Sequence, residues 1–272
     1  MAQQRLQIIK DIISRKVPSY VIGTAYGVYR RRLLAEIKRY QVPQHVGVIM
    51  DGNRRLARTR GLPAQKGHDL GLQKAEEMMD WCRLLGIRVL TLYAFSTENF
   101  KRPQHEVDYL MSIFRQKFAS IPSDPKIHRN RVKVRALGDR SLLPNDLVQL
   151  IQTAESATSS YEEMVLNICI AYGGRGEIVQ AMKAFLIEKN GQEIDLDDVD
   201  VQTIHDKLFT NDLPDPDLII RTGGELRLSN FLLFQAAYAE LFFINSYFPL
   251  LREIDFLRII REFQRRERRY GK

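Results

Sequence analysis

The sequence predicts an α/β protein with a central, mostly parallel six-stranded sheet flanked by helices, and two observations support this fold class. From residue 43 onward, short runs rich in β-branched and aromatic residues alternate with longer segments of helical periodicity. The short runs are apolar on both faces, as expected for strands that helices cover on both sides of a parallel sheet. The 272 residues are enough for one large α/β domain.

Each predicted element follows from its local pattern. The runs of β-forming residues predict strands at Val46–Met50, Arg88–Phe95, Val132–Leu137, Leu166–Tyr172, Leu218–Thr222 and Leu241–Asn245. Apolar residues spaced three and four positions apart predict helices at roughly 68–85, 103–120, 145–158, 175–189, 200–209 and 253–267. A further short helix is expected to open at Gly52–Arg55, directly after the first strand.

Residues 1–42 are predicted to form a basic helical extension that is separate from the main domain, residues 43–272. In residues 4–13, four isoleucines lie on one helical face. A second basic helix is predicted from Tyr29 to Tyr40, after an irregular link that contains proline and glycine. Such helices either lie on a membrane surface or pack on the domain, and the sequence leaves both alternatives open.

Basic residues are concentrated at the two ends of the chain. The formal net charge is +8; residues 1–40 contain nine Lys/Arg and two Asp/Glu, and residues 261–272 contain six and two. These ends are either solvated helix faces or surfaces attracted to an anionic membrane or nucleic acid. A nucleic-acid-binding protein would line its basic residues along one continuous face. Here the others occur singly at strand ends, so we expect no nucleic-acid partner.

The sequence is typical of a cytoplasmic protein that is at most peripheral to the membrane. The longest uncharged run, Val17–Tyr29, has 13 residues and is too short to cross a bilayer. The N-terminus lacks the apolar core and cleavage site of a signal peptide. Cys82 and Cys169 lie in apolar contexts without a CxxC pair, which predicts buried thiols in a reducing compartment.

The loops that follow the predicted strands contain the residues of chemical interest. Ligands of open parallel sheets bind beyond the carboxyl ends of the strands, and nearly all of these loops contain arginine, often with glycine. The planar guanidinium group suits phosphate oxygens, and glycine lets the backbone approach an anion. We therefore predict a substrate with more than one phosphate group. The loops are residues 51–55, 96–102, 138–140, 173–175 and 221–230.

Two acids among these basic loops indicate a metal ion. Mg²⁺ prefers one or two carboxylates together with phosphate oxygens and water, and Asp51 and Glu240 are the predicted ligands. The alternatives are a helix N-cap for Asp51 and a surface ion pair for Glu240.

Missing signatures narrow the substrate class. The sequence contains no GxxxxGK[ST] loop, no GxGxxG after the first strand and no HExxH, which makes the usual nucleotide and zinc-protease sites unexpected. Aromatic residues such as Tyr93, Phe95 and Phe234 lie close to the strand-end loops. Their default interpretation is core packing, but an apolar cleft beside a diphosphate site would suit a prenyl diphosphate.

Six motifs together resemble the cis-prenyltransferase family, which includes the undecaprenyl and dehydrodolichyl diphosphate synthases. They are HVGVIMDGNRRLAR, the pair Gly67-His68, LYAFSTENFKRP, AYGGRGEIV, IIRTGGELRLSNFLLFQAAYAEL and RRERRYG. The resemblance covers about residues 43–271. It implies an undecaprenyl diphosphate synthase-like fold. It also implies a Mg²⁺-dependent reaction in which isopentenyl diphosphate is condensed onto an allylic prenyl diphosphate, farnesyl or geranylgeranyl. The product is a Z-polyprenyl diphosphate, a precursor of a glycosyl carrier lipid.

The resemblance also implies roles for individual residues. Asp51 and Asn99 are implied to be catalytic, Asn99 as the candidate proton acceptor, and Asp51 and Glu240 are implied to bind the metal. The implied substrate-binding residues are Gly52, Asn53, Arg54, Arg55, Leu56, His68, Ser96, Thr97, Glu98, Phe100, Arg102, Arg221, Arg227, Leu228, Ser229, Arg269 and Gly271.

The C-terminal Arg269-Tyr270-Gly271 matches the Arg-x-Gly signature of the family, which reaches the neighbouring subunit's site and implies a homodimer. Leu56 and Ala64 stand where bacterial members commonly have Trp and Arg, which makes geranylgeranyl diphosphate a candidate primer beside farnesyl diphosphate. The competing hypothesis is a non-catalytic subunit of a prenyltransferase complex. Such a chain would have lost residues that are present here.

Overall fold

The structure, a computed structural model, describes residues 19–191, 194, 196 and 199–266, with side chains from residue 26 onward. Its described residues form two compact units: residues 19–42 with 254–266, and residues 43–253. The predicted stretch 4–13 and the tail residues Arg269 and Gly271 lie outside the described residues. The assignment of residues 1–42 as an extension and 43–272 as the catalytic domain stays a prediction.

The larger unit is built on a six-stranded sheet in which every strand pair is parallel. The strand order is β3-β4-β2-β1-β5-β6. This confirms the predicted fold class, and each strand lies within two residues of its predicted bounds. The strands are β1 His45–Ile49, β2 Val89–Ser96, β3 Val132–Leu137, β4 Met164–Tyr172, β5 Leu218–Arg221 and β6 Glu240–Phe243.

Helices connect the strands, and most of them match the predicted segments. A 3₁₀ turn, Thr97–Lys101, follows β2. The α-helices of this unit are α2 Asn53–Thr59, α3 Ala64–Leu85, α4 Gln104–Ser120, α5 Pro125–Arg129, α6 Asn145–Thr158, α7 Gly174–Lys189 and α8 Val201–His205. The last helix of the chain, α9 Glu253–Arg265, begins at the end of this unit and continues in the smaller one.

The centre of the sheet is buried on both faces, which is why its strands are continuous apolar runs. Every residue of β1 and β5 is buried, whereas the edge strand β6 alternates between exposed and half-buried positions. β1 pairs with β2 on one side and β5 on the other, and the connections from β1 to β2 and from β5 to β6 lead in opposite directions along the sheet. The carboxyl end of β1 is therefore the topological switch point, where open α/β sheets bind their ligands.

A chain of polar side chains crosses the interior of the sheet at His45. Its Nδ1 lies 2.7 Å from the carbonyl oxygen of Pro214, which can only accept, so Nδ1 carries the proton. Its Nε2 therefore accepts from the Thr91 hydroxyl at 2.7 Å, and Thr91 in turn accepts from the Asn167 amide at 3.0 Å. Burial lowers the pKa of His45 to about 4, against the opposing effect of the Pro214 hydrogen bond. His45 is thus a neutral core residue.

The smaller unit contains helix α1, Ser19–Ile37, and most of α9. The predicted irregular link before Tyr29 is wrong in part, because α1 begins ten residues earlier and runs through Gly27. At the end of α1, the Gln264 side-chain amide donates to the carbonyl oxygens of Ile37 and Tyr40, at 3.0 and 3.1 Å. This ties the turn that follows α1 to α9. No helix among the described residues is long and apolar enough to span a membrane.

Candidate active site

A cavity of about 920 Å³ lies at the carboxyl edge of the sheet, around the ends of β1, β2 and β5. It is the site that the strand-end argument predicts. Of the predicted site residues, the structure brings the following into its wall: Asp51, Gly52, Asn53, Arg54, Arg55, His68, Ser96, Glu98, Asn99, Arg102, Arg221 and Ser229.

Asp51 lies at the centre of this cavity, between two guanidinium groups. Its Oδ1 is 3.0 Å from Arg55 Nη2, and its Oδ2 accepts from Arg221 Nη2 at 2.9 Å. The Thr222 hydroxyl holds the Asp51 backbone: it accepts from the N–H at 3.1 Å and donates to the carbonyl at 2.8 Å. Partial burial raises the pKa of Asp51, but the two arginines outweigh it and hold the pKa below its usual value. Asp51 is therefore ionised.

Gly52, not Asp51, occupies the N-cap position of α2, so the alternative that Asp51 is a helix cap is wrong. Gly52 has φ +103°, which only glycine adopts at low cost. A Cβ there would lie 2.6 Å from Cδ1 of Tyr247. Gly67 allows a similar close approach, because a Cβ on it would lie 2.2 Å from the Asn53 carbonyl oxygen. These two glycines let α2 and α3 close around the end of β1.

Three predicted substrate-binding residues converge on one buried carboxylate, Glu106, in the first turn of α4. Its Oε1 accepts from Arg102 Nη1 at 2.9 Å and lies 3.3 Å from His68 Nε2, and its Oε2 is 3.4 Å from Arg54 Nε. Burial lowers the pKa of His68, although Glu106 opposes this. A neutral His68 donates Nε2–H to Glu106. Glu106 thus fixes one basic wall of the cavity, and the sequence analysis did not single it out.

The loop after β2 is held by its own side chains. The Asn99 side-chain oxygen accepts from the Ser96 N–H at 3.2 Å, and the Ser96 side chain accepts from the Asn99 backbone N–H. This reciprocal capping box satisfies N–H groups of the 3₁₀ turn. Phe100 packs edge-on against Phe95, with ring centroids 4.8 Å apart, so its side chain anchors the turn to β2.

Arg221 and Ser229 form the opposite wall. Arg221 Nη1 donates to the Ser229 hydroxyl at 2.6 Å and also to the carbonyl oxygen of Arg227. The Arg221 side chain is only 5% exposed, so its guanidinium is held firmly toward the cavity. Ser229 and the next residue, Asn230, have φ values of +49° and +66°. This left-handed backbone turns the loop back toward the end of β5.

Asn230 ties three segments of the site together. Its carbonyl accepts from the Gly174 N–H at 2.7 Å, and its side-chain oxygen accepts from the Arg175 N–H at 2.9 Å. Its side-chain amide donates to Glu98 Oε1 at 3.1 Å. The residue thus joins the 221–230 loop to the start of α7 and to the loop after β2. Sequence reasoning placed it in a loop without a role, although left-handed asparagine at a strand-end loop is a usable signal.

Within one chain the structure does not bring Glu240 to Asp51, and their predicted role in one metal site stays a prediction. Glu240 is the first residue of β6 and lies level with Leu218, at the amino end of β5. Asp51 instead contacts Arg221, at the carboxyl end of β5. Leu218 and Arg221 are three residues apart along β5, a separation of roughly 10 Å. A residue that precedes a parallel strand lies at the opposite sheet edge from one that follows it.

Several other predicted residues lie outside the cavity wall. Leu56 is 3% exposed and belongs to the core, and Leu228 packs against the core around Phe231. The Arg227 side chain is exposed and pairs with Glu225 at 2.7 Å. Thr97 is near Gly173, whose Cβ would lie 3.0 Å from Thr97 Oγ1.

A second, apolar cavity of about 220 Å³ adjoins the first. It runs between α3 and α4, and Met50, Asn53 and His68 line both cavities. Its walls include Leu72, Ala75, Met79, Leu110, Phe114 and Phe118. The structure thus places an apolar channel beside a cation-rich pocket, an arrangement suited to an amphiphile with an anionic head and a hydrocarbon tail.

Comparison with known proteins decides the family. A family model described as putative undecaprenyl diphosphate synthase matches residues 49–271. The chain belongs to the cis-prenyltransferase family. This confirms the resemblance and the prediction of an enzyme that transfers prenyl groups.

This cis-prenyltransferase is similar to archaeal proteins named tritrans,polycis-undecaprenyl-diphosphate synthase (geranylgeranyl-diphosphate specific). The protein from Pyrococcus abyssi is 50% identical over 97% of this chain and 100% of its own length. The one from Methanocaldococcus jannaschii is 49% identical over 90% of this chain and 88% of its own length.

Two solved structures share the fold of the prenyltransferase. Lavandulyl diphosphate synthase from Lavandula x intermedia, in complex with dimethylallyl diphosphate, superposes with a TM-score of 0.78 at 34% identity, over 85% of this chain and 99% of its own. A probable undecaprenyl diphosphate synthase from Campylobacter jejuni has a TM-score of 0.69 at 35% identity, over 85% and 100%.

Proposed function

We propose that the protein elongates geranylgeranyl diphosphate with isopentenyl diphosphate to give a Z-polyprenyl diphosphate, the precursor of a glycosyl carrier lipid. One observation carries the proposal: an ionised aspartate held between two arginines lines a cation-rich cavity that adjoins an apolar channel. Geranylgeranyl diphosphate is preferred to farnesyl diphosphate as primer because the archaeal relatives are named for it.

The allylic diphosphate is proposed to bind at the α2 side of the cavity. Arg54, Arg55 and Arg102 line this side and supply guanidinium donors, while Gly52 lets the backbone approach. His68 and Met50 line both cavities, so a prenyl tail on this diphosphate extends into the apolar channel. Charge that grows on the leaving diphosphate is stabilised by groups already in place.

Isopentenyl diphosphate is proposed to bind at the β5 side, on Arg221 and Ser229, with the exposed side chain of Arg227 completing the contact. In the reaction the allylic C–O bond breaks and diphosphate leaves. The terminal alkene carbon of isopentenyl diphosphate forms the new C–C bond, and a proton is lost to give the Z double bond. Asn99, which lines the cavity between the two sides, is the proposed proton acceptor.

Mg²⁺ is the proposed cofactor, and the chemistry of Asp51 fits it. Asp51 is ionised and lines the cavity, and one carboxylate together with phosphate oxygens is a common Mg²⁺ environment. When bound, Mg²⁺ neutralises charge on the leaving diphosphate. Among the described residues, no cluster of three His, Cys, Asp or Glu side chains could hold a metal by itself, so substrate oxygens would complete the coordination.

The proposal is tested by incubating the protein with radiolabelled isopentenyl diphosphate, Mg²⁺ and either primer, and separating the products by thin-layer chromatography. We expect higher kcat/KM with geranylgeranyl than with farnesyl diphosphate. Asp51→Asn should abolish incorporation in a protein that stays folded, whereas Asp108→Asn, an exposed acid outside the cavity, should not. Absence of incorporation with every allylic primer would instead favour the non-catalytic subunit.

Two partner proposals rest on the sequence. A homodimer, in which Arg269 and Gly271 reach the neighbouring site, predicts that deleting residues 269–272 lowers activity without changing the elution volume of the dimer. Peripheral membrane contact through the basic N-terminus predicts that a chain beginning at Gln41 binds liposomes less well than the full chain.

A further inference from the structure

A second cation-rich cleft lies in the smaller unit. It has a volume of about 710 Å³ and lies between α1 and α9. Four of its nine lining residues are arginines and one is a carboxylate. The lining residues are Tyr29, Arg32, Leu33, Ala35, Glu36, Arg39, Tyr40, Arg261 and Arg265.

The only acid in this lining is already paired. Glu36 Oε1 lies 3.1 Å from Arg265 Nη2, and Arg261 Nη2 lies 3.1 Å from Glu262. By contrast, the side chains of Arg32 and Arg39 form no hydrogen bond or ion pair with any described residue. The cleft therefore has an excess of two guanidinium groups that are not neutralised within the described part of the chain.

The two groups lie at the end of α1 and just beyond it. Arg32 is in the last two turns of α1, and Arg39 is in the turn that follows Ile37, the last residue of the helix. Tyr29 also lines the cleft and is fixed by Arg258, whose guanidinium lies 5.3 Å from the ring centroid. These two arginines, Arg32 and Arg39, line a concave surface together with Arg261 and Arg265, an arrangement that suits phosphate oxygens.

A merely solvated basic helix face does not explain this arrangement. Arg31 and Lys38 have the same seven-residue spacing and, like Arg32 and Arg39, are exposed, but neither lines the cleft. Arg32 and Arg39 thus line the concave surface, whereas Arg31 and Lys38 do not. Low-dielectric walls raise the electrostatic potential inside a cleft above that of a flat surface with equal charge.

We propose that this cleft binds a phosphate-bearing anion, with Arg32 and Arg39 as its principal donors. Two sources share this chemistry: the headgroup of an anionic phospholipid and a free phosphate compound. Tyr40 is 64% exposed beside the cleft, and tyrosine is favoured at a membrane–water boundary. The site is independent of the prenyl-transfer chemistry, since none of its residues lines the active-site cavity.

The test compares Arg32→Gln/Arg39→Gln with the matched pair Arg31→Gln/Lys38→Gln in the full-length protein. One arm measures co-sedimentation with phosphatidylcholine vesicles with and without phosphatidylglycerol. The other measures calorimetric binding of inorganic diphosphate, for which the wild-type protein should show one site more than the cleft variant. Prenyl transfer with soluble primers should be unchanged in both variants and serves as the folding check.

We expect the cleft pair to weaken the relevant binding about 30-fold and the matched pair about threefold or less. An effect only with vesicles identifies the lipid headgroup, and an effect only with diphosphate identifies a free phosphate compound. Equal losses in both variants would show diffuse attraction to surface charge and would overturn the proposal. So would the absence of any loss in both arms.

Discussion

Replacing Glu106 with glutamine should disable the allylic side of the site while leaving the fold intact. The side chain of Glu106 is 5% exposed and is shared by Arg102, His68 and Arg54. Its bond to Arg102, at 2.9 Å, is charge-assisted and is worth about 1.5–3 kcal/mol. The contacts to His68 and Arg54 are longer, and Arg54 is 52% exposed, so each adds less than about 1 kcal/mol.

A total of about 3 kcal/mol corresponds to a factor of roughly 100. Because glutamine keeps the shape of Glu106 but not its charge, we expect kcat/KM for the allylic primer to fall 10- to 100-fold. KM for isopentenyl diphosphate should change little. The assay is initial-rate incorporation at varied primer concentration, with thermal unfolding of each variant alongside. The control is Asp108→Asn, which removes the charge of an exposed acid two positions after Glu106 on the same helix. If folded Glu106→Gln keeps kcat/KM for the primer within twofold of the wild-type value, Glu106 does not position Arg102, His68 and Arg54 for the reaction.

Three further predictions follow from the packing. Asn230→Ala should raise KM for isopentenyl diphosphate more than KM for the primer. Asn230→Asp, whose carboxylate repels Glu98, should raise it further than Asn230→Ala does. Equal effects on both KM values would contradict the role of Asn230 in joining the 221–230 loop to its neighbours. Folding favours the neutral form of His45, so its contribution to the free energy of unfolding is full above about pH 6.5 and is lost as the pH falls toward 4, by up to about 3 kcal/mol. Urea unfolding between these pH values should show this loss, and the free energy of unfolding of His45→Gln should depend less on pH. Gly52→Ala should destabilise the protein by more than about 1 kcal/mol and raise KM for the primer, because of its positive φ and the contact with Tyr247; unchanged unfolding and kinetics would show that the loop has room to move.

The fold was predictable because strand burial leaves a direct trace in the sequence. The run Val46–Met50 lies within one residue of the observed β1, since an interior parallel strand must be apolar on both faces. The start of α1 was not predictable in the same way. Gly27 costs only about 1 kcal/mol within a helix, so it does not compel a break, and the helix runs through it.

Site residues that follow a strand were predictable from the sequence. Site residues whose role depends on contact between distant segments of the chain were not. Asp51 and Arg221 were identified because strand ends of a parallel sheet meet at one edge. Glu240 instead begins β6, and the direction of that parallel strand puts it at the amino edge of the sheet, not beside Asp51. Glu106 resembles an ordinary first-turn helix acid, and its contacts with Arg54 and His68 span 52 and 38 positions of sequence.

The ion pairs of Asp51 imply that the two substrate positions are thermodynamically linked. One carboxylate serves as counterion for Arg55, on the proposed allylic side, and for Arg221, on the proposed isopentenyl side. A diphosphate that draws either arginine away leaves Asp51 with a single partner and changes the charge that the other arginine offers. If binding of the first ligand changes the free energy of binding of the second, then binding of the second changes that of the first by the same amount. Measured affinities for the two substrates should therefore depend on each other, and Asp51 is the residue through which that dependence passes.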